Sequence, residues 1–173
     1  MTKRHLIIGG PGFGKTSLVS KLKELGYNCE YDDKSRELII KMFKENPEID
    51  TSGVDFNREI LNCRIDQFNS SSGICFFDRG IPDGIAYMNN PPSEFLETAK
   101  KYSYEKIVFV CPPWEEIFQT EKAKGRAENS FNDAVIVHNR ICEVYNKLGY
   151  NLINLPKSSI KERVKFILEK ITS

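Results

Sequence analysis

Long apolar runs are missing from this 173-residue chain. A bilayer-spanning helix needs about 20 such residues, so no span is expected. A charge of one sign is missing too. Twenty-five lysines and arginines stand against 24 aspartates and glutamates, mixed in sign along the chain. Neither nucleic acid nor an anionic membrane is expected as the main partner. Cysteine is scarce and unpatterned: Cys29, Cys63, Cys75, Cys111 and Cys142 are odd in number and form no C-x-x-C pair. Reduced thiols in a cytosolic protein fit better than disulfides or a metal. The two histidines, His5 and His138, have no partner at ligand or catalytic spacing and read as structural. Met1 to Arg4 lead straight into a strand, so no signal peptide is expected and the chain is placed in the cytoplasm. There are no internal repeats and no low-complexity tract, and the length predicts a single domain over 1–173.

What is present is concentrated near the start. Gly9-Gly10-Pro11-Gly12-Phe13-Gly14-Lys15-Thr16 fits G-x-x-x-x-G-K-[ST]. The apolar run His5–Ile8 precedes it as a buried strand. Leu18, Val19, Leu22 and Leu25 follow at helical spacing, with Gly26 at the C-terminal position. A polyphosphate needs many N–H donors at close range. Glycine lets the backbone approach, and the helix N-terminus adds unpaired N–H groups and its positive dipole end. Lys15 is expected on the β- and γ-phosphates of a nucleotide, and the Thr16 hydroxyl on Mg2+. The nucleotide-binding set is thus Gly9 through Ser17, with Pro156 after the last strand as a further contact.

Short apolar strands at about 27–31, 74–77, 107–110 and 151–155 alternate with amphipathic helices. That pattern predicts an α/β domain with a parallel sheet. Asp33 and Ser93 are read as helix caps, Met42 and Phe43 as core, and Ser159-Ile160-Lys161-Glu162 as a capping box. Leu61, Ile65 and Phe68 mark the buried face of the helix near 55–69. Ile160, Val164, Ile167, Leu168 and Ile171 mark that of the last helix. The polar segment 119–131, carrying Lys122, Lys124, Gly125 and Arg126, is a candidate lid, with Arg126 closing over the γ-phosphate.

Ligands of parallel sheets bind beyond the carboxyl ends of the strands. Asp78 ends a four-residue apolar strand and is a candidate Mg2+ ligand, directly or through water. Arg79 is a candidate clamp for a substrate anion or sugar hydroxyl, with an ion pair to Asp33 or Asp83 as the structural alternative. Asp33 is a candidate general base, a helix cap being the alternative, and Asp32 is a weaker one. Arg36, one turn on, faces the same cleft or makes a structural ion pair. Trp114 reads as a packing residue.

The P-loop, Asp33-Lys34-Ser35-Arg36-Glu37-Leu38-Ile39, Phe77-Asp78-Arg79-Gly80-Ile81-Pro82-Asp83 with Ala86-Tyr87, Pro113-Trp114, Arg126-Ala127-Glu128 and Tyr145 to Tyr150 together resemble the AAA-28 family of P-loop domains. That family is related to the nicotinamide riboside kinase domain of NadR-type proteins. The resemblance implies a three-layer P-loop NTPase fold of the nucleoside/nucleotide-kinase type, with strand order 2-3-1-4-5, helices on both faces and a small lid. It implies nucleotide and Mg2+ at Gly14, Lys15 and Thr16, an active-site pair at Asp78 and Arg79, and a lid arginine at Arg126. Asp33, Arg36, Arg79 and Asp83 form the candidate acceptor-binding set. Where the family opens its Glu-x-x-Arg stretch with glutamate, this chain has the shorter Asp33.

Two functions fit. One is an ATP-Mg2+-dependent phosphotransferase acting on a hydroxyl of a nucleoside-like molecule or other metabolite, with Lys15, Asp33, Asp78, Arg79 and Arg126 catalytic. The other is a nucleotide-dependent regulatory module recognising a protein or phospholipid. GTP is not excluded as the nucleotide, although no N-K-x-D motif is present: Leu148-Gly149 follows Asn146-Lys147.

Overall fold

The computed structural model describes residues 1–123 and 130–172. Five parallel strands form one sheet: β1 (Lys3–Ile8), β2 (Asn28–Glu30), β3 (Ile74–Asp78), β4 (Ile107–Val110) and β5 (Asn151–Asn154). Their order is β2-β3-β1-β4-β5, and all four pairings are parallel. This is the order the resemblance implies.

Alternation along each strand builds two cores. Ile7, Phe76 and Phe109 point to one face, where Leu18, Val19 and Leu22 of α1 (Lys15–Glu24) and Val164 and Ile167 of α8 (Ile160–Thr172) cover them. Leu6, Ile8, Cys75, Phe77, Val108 and Val110 point to the other face. There they meet Ile85 of α4 (Asp83–Ala86), Phe95 of α5 (Ser93–Lys101) and Ile141 and Tyr145 of α7 (Phe131–Lys147). Partly buried Leu61, Ile65 and Phe68 of α3 (Val54–Ser70) pack on this second core. Burying a large apolar side chain contributes about 1.5–3 kcal/mol, and β1, lying between β3 and β4, is covered on both faces. The connection after β1 runs past β3 to β2, and the connection after β3 runs the other way past β1 to β4, which opens a crevice at the carboxyl ends of β1 and β3.

Several local expectations change. Helix α2 (Asp33–Glu45) starts at Asp33, so Asp32 is its N-cap, and no side chain caps it. Helix α5 likewise starts at Ser93, after Pro92, with no side-chain cap. A capping box does open α7, where Ser130 and Asp133 exchange hydrogen bonds. The box at Ser159 and Glu162 is present as expected. Helix α6 (Glu115–Ala123) runs into the stretch expected to be a loop. Gly26 takes φ 92° and closes α1 with hydrogen bonds from Gly26 N to Lys23 O and from Tyr27 N to Leu22 O.

Phe43 is not core. It is 39% exposed, and Ser35 is the fully buried residue of α2. Ile160 is also exposed, at the first turn of α8. On α3 the most buried positions are Phe56, Asn57, Ile60, Arg64 and Gln67, beside the expected apolar stripe. All five cysteines are unbonded. Among the described residues, no helix is long and apolar enough to cross a membrane.

Candidate active site

The chain leaves β1 at Ile8 and turns through the P-loop. Gly9, Gly12 and Gly14 adopt φ of 141°, 74° and 81°, and Gly14 is the N-cap of α1. Side chains other than glycine rarely take such angles. Lys15 is buried, and its Nζ donates to Gly10 O at 2.8 Å. Burial pushes its ammonium down, Arg79 adds to this, and Asp78 opposes it. Thr16 Oγ1 donates to Asp78 Oδ2 at 2.7 Å across the loop. Asp78 Oδ1 is buried without a partner among the described residues. Burial raises the Asp78 carboxyl, against the pull of Lys15 and Thr16.

Arg79 is the non-glycine residue with positive φ among the described residues, at 73°. Such a conformation costs about 1–3 kcal/mol and persists only where the surroundings hold it. Here they do. Its N donates to Ile7 O, Nη1 donates to Tyr87 Oη at 2.8 Å, and Nε lies 3.1 Å from Asp32 Oδ2. Burial acts downward on this guanidinium, but Tyr87, Asp32, Asp83 and Asp78 outweigh it and hold it raised. Arg64, from α3, reaches Asp32 Oδ1 at 3.4 Å with Nη2 and Gly80 O at 3.1 Å with Nη1. Asp32 therefore bridges two buried arginines.

A cavity of about 540 Å³ collects the P-loop, Lys15, Thr16, Asp33, Arg36, Asp78 and Arg79. Asp33 and Arg36 are exposed on its wall and have no hydrogen-bond or ion-pair partner for their side chains among the described residues. Of the two partners offered for Arg79, Asp32 takes the place of Asp33. Asp83 departs from the expected set. It has no exposed surface, and its Oδ2 accepts from Gly80 N at 2.9 Å and Tyr145 Oη at 2.6 Å. It supports Arg79 from behind, 3.9 Å away, and does not face the cavity.

Phe13 is buried and does not line the cavity. Its ring packs against Phe118, Phe131 and His138. His138 is structural but touches the loop: Gly10 N donates to its Nδ1 at 3.4 Å. Burial, with Lys15 adding to it, pushes the imidazole down to about 4. Gly9 and Gly10 back onto Cys111 and Ala134, where a Cβ would come within 2.6 and 2.5 Å of a carbonyl oxygen. Ser17 lines a second cavity of about 300 Å³ with Gly14, Thr120, Ser158 and Arg163. Pro156 is exposed and does not line it. Ser158 Oγ and Arg163 Nε are buried there without partners among the described residues. Arg126 lies outside the described residues, as do the central residues of the expected lid.

Sequence reasoning missed Arg64, Ser158 and Arg163, and gave Tyr87 a place in the resemblance but no role. One signal was available: Asn57, Ile60, Arg64 and Gln67 recur at helical spacing beside the apolar stripe.

The AAA domain family designated AAA_28 matches residues 4–163. The chain belongs to that family. No curated protein sequence matches this AAA_28 domain. Among solved structures it is similar to deoxyadenosine kinase from M. mycoides, at 17% identity and TM-score 0.70, over 98% of each chain. It is similar to shikimate kinase from Acinetobacter baumannii in complex with shikimate, at 17% identity and TM-score 0.65, over 99% of this chain and 94% of that one. NadR in complex with NAD and AMP-PNP matches at 17% identity and TM-score 0.71, over 98% of this chain and 48% of NadR. The three-layer P-loop fold and the NadR-type likeness expected from the sequence are thus both found.

Proposed function

We propose that this AAA_28 domain is a cytoplasmic phosphotransferase that moves the γ-phosphoryl group of ATP to a hydroxyl of a small molecule. One observation carries the reading. A single cavity holds the phosphate-binding P-loop on one wall and Asp33, Arg36 and Arg79 on the other. A nucleotide switch has no need of that second wall.

Thr16 and Asp78 suit Mg2+: a hydroxyl and a carboxylate are joined at 2.7 Å, with one buried carboxylate oxygen unpartnered. When bound, Mg2+ neutralises charge on the phosphates. Lys15 exchanges the Gly10 carbonyl for phosphate oxygens. Asp33 takes the proton of the acceptor hydroxyl as that oxygen bonds to the γ-phosphorus. The bond from the γ-phosphorus to its bridging oxygen breaks, and ADP leaves. Arg79, fixed by Asp32 and Tyr87, holds the acceptor in line. The second cavity, beside Gly14 and Ser17, takes the nucleotide base.

The test is transfer from γ-labelled ATP with Mg2+ into a metabolite extract and a nucleoside panel. Label is expected in a small molecule, and Asp33→Asn is expected to lower transfer by roughly 10²–10⁴-fold. Label released only as free phosphate, at one rate with or without acceptors, would instead favour a nucleotide switch.

A further inference from the structure

Beside the phosphate cavity lies another, of about 360 Å³, between α2 and α3. The two share Asp32, Ile39 and Arg79. The two cavities are thus continuous, and a molecule reaching into the first has room for its body in the second. The walls are apolar and partly aromatic: Ile39, Phe43, Phe56, Ile60 and Tyr87. Phe43 and Phe56 stand edge to face, with centroids 6.5 Å apart. Phe43 lines the cavity and is still 39% exposed. Such walls suit a flat ring.

The polar floor decides the charge of the guest. Arg64 and Arg79 line it with two positive charges, and Asp32, bridging both, lines it with one negative charge. The second negative charge is Asp83, buried behind the floor and 3.9 Å from Arg79. The group is balanced before any ligand enters. A phosphate or carboxylate placed here would be a buried charge without a free counter-charge, which is strongly unfavourable. Neutral hydrogen-bonding groups are still called for. Arg64 is 6% exposed, and its Nε has no partner among the described residues. Asn57 gives its amide nitrogen to the Thr51 and Gly53 carbonyls, which leaves its carbonyl oxygen to accept. Arg36, with no ion-pair partner among the described residues, lines the phosphate cavity and not this one.

We infer that the acceptor is an uncharged hydroxyl compound with a flat ring, of nucleoside type, and that Asp32 is the residue that excludes anionic acceptors. The inference rests on the phosphotransfer reading above.

The test offers adenosine, thymidine, AMP, TMP and shikimate to the wild-type protein with γ-labelled ATP and Mg2+. Acceptor-induced thermal shifts in AMP-PNP and Mg2+ read binding without turnover. Nucleosides are expected to be labelled, and to raise Tm, ahead of the monophosphates and shikimate. The product labelled in a metabolite extract is expected to carry one phosphate and no carboxylate. Asp32→Asn is expected to shift the kcat/KM ratio towards the monophosphates by at least about tenfold, as an unbalanced arginine would. Phe43→Ala is expected to raise the nucleoside KM by about tenfold while the nucleotide KM holds. Label in monophosphates or shikimate but not in nucleosides would overturn the inference and leave the kinase reading standing. Free phosphate with no labelled acceptor would sink both. An Asp32→Asn variant that loses all acceptors alike would reduce Asp32 to a structural prop.

Discussion

On the P-loop side of the cavity, Pro11, Gly12, Gly14, Lys15 and Thr16 come from one short run of residues, and Asp78 joins them from the end of β3. On the side proposed for the acceptor, Asp32, Arg64, Arg79 and Tyr87 come from four separate segments joined by ion pairs and one phenol hydrogen bond. Phosphates need backbone N–H groups, which a short run of residues supplies with little help. A particular acceptor needs side chains held at set distances, and only a packed core supplies those.

The largest effect that probes this contrast is expected at Lys15. Lys15→Ala should lower turnover by roughly 10²–10³-fold and weaken nucleotide binding. The acceptor-induced thermal shift should survive, because the acceptor wall does not use Lys15. Loss of both by calorimetry would show that the walls are not separable.

A smaller effect belongs to Gly80, between Arg79 and Asp83. A Cβ there would come within 2.6 Å of Leu6 Cδ2 and 2.8 Å of Tyr145 Oη. Gly80→Ala should push Tyr145 off Asp83, loosen the support behind Arg79, and cost about 1–3 kcal/mol in urea unfolding. Its acceptor KM should rise more than its nucleotide KM. Equal rises would tie the two walls into one unit.

The smallest effect concerns His138, under the P-loop. The buried imidazole titrates near pH 4 in the fold and near 6.5 in the unfolded chain. As pH falls below 6.5, the unfolded chain gains a proton that the fold refuses, so stability is lost, and the loss is complete below about 4. His138→Gln should therefore show a smaller drop in Tm over that interval. An unchanged slope would assign the acid sensitivity to other groups.

Legibility in the sequence followed the same divide. The P-loop, its strand and its helix were readable because their signals are local: glycine spacing, an apolar run, a 3.6-residue period. Asp78 and Arg79 were readable as the end of a buried strand. Asp32 and Asp33 were only partly separable. The ranking of Asp33 above Asp32 as a base was read, but not what Asp32 does instead: only the start of α2 at Asp33 leaves Asp32 under two arginines and Asp33 exposed on the cavity wall. Arg64 lay hidden because a lone arginine beside the apolar stripe of an amphipathic helix looks like surface. Phe43 looked like core because helical spacing records a face and not what covers it. Asp83 looked available for the acceptor, yet Gly80 and Tyr145 had already taken it.

By itself the sequence determined an α/β domain with a phosphate-binding loop at its first strand and a carboxylate–arginine pair at the end of another. Local backbone chemistry and apolar periodicity carry those features. The tertiary structure alone decided that α3 sends Arg64 across to Asp32, that Asp83 turns inward to Tyr145, and that the space left between α2 and α3 is apolar and balanced in charge. Those outcomes depend on distances between residues far apart in the chain, which packing sets and no short run of residues encodes.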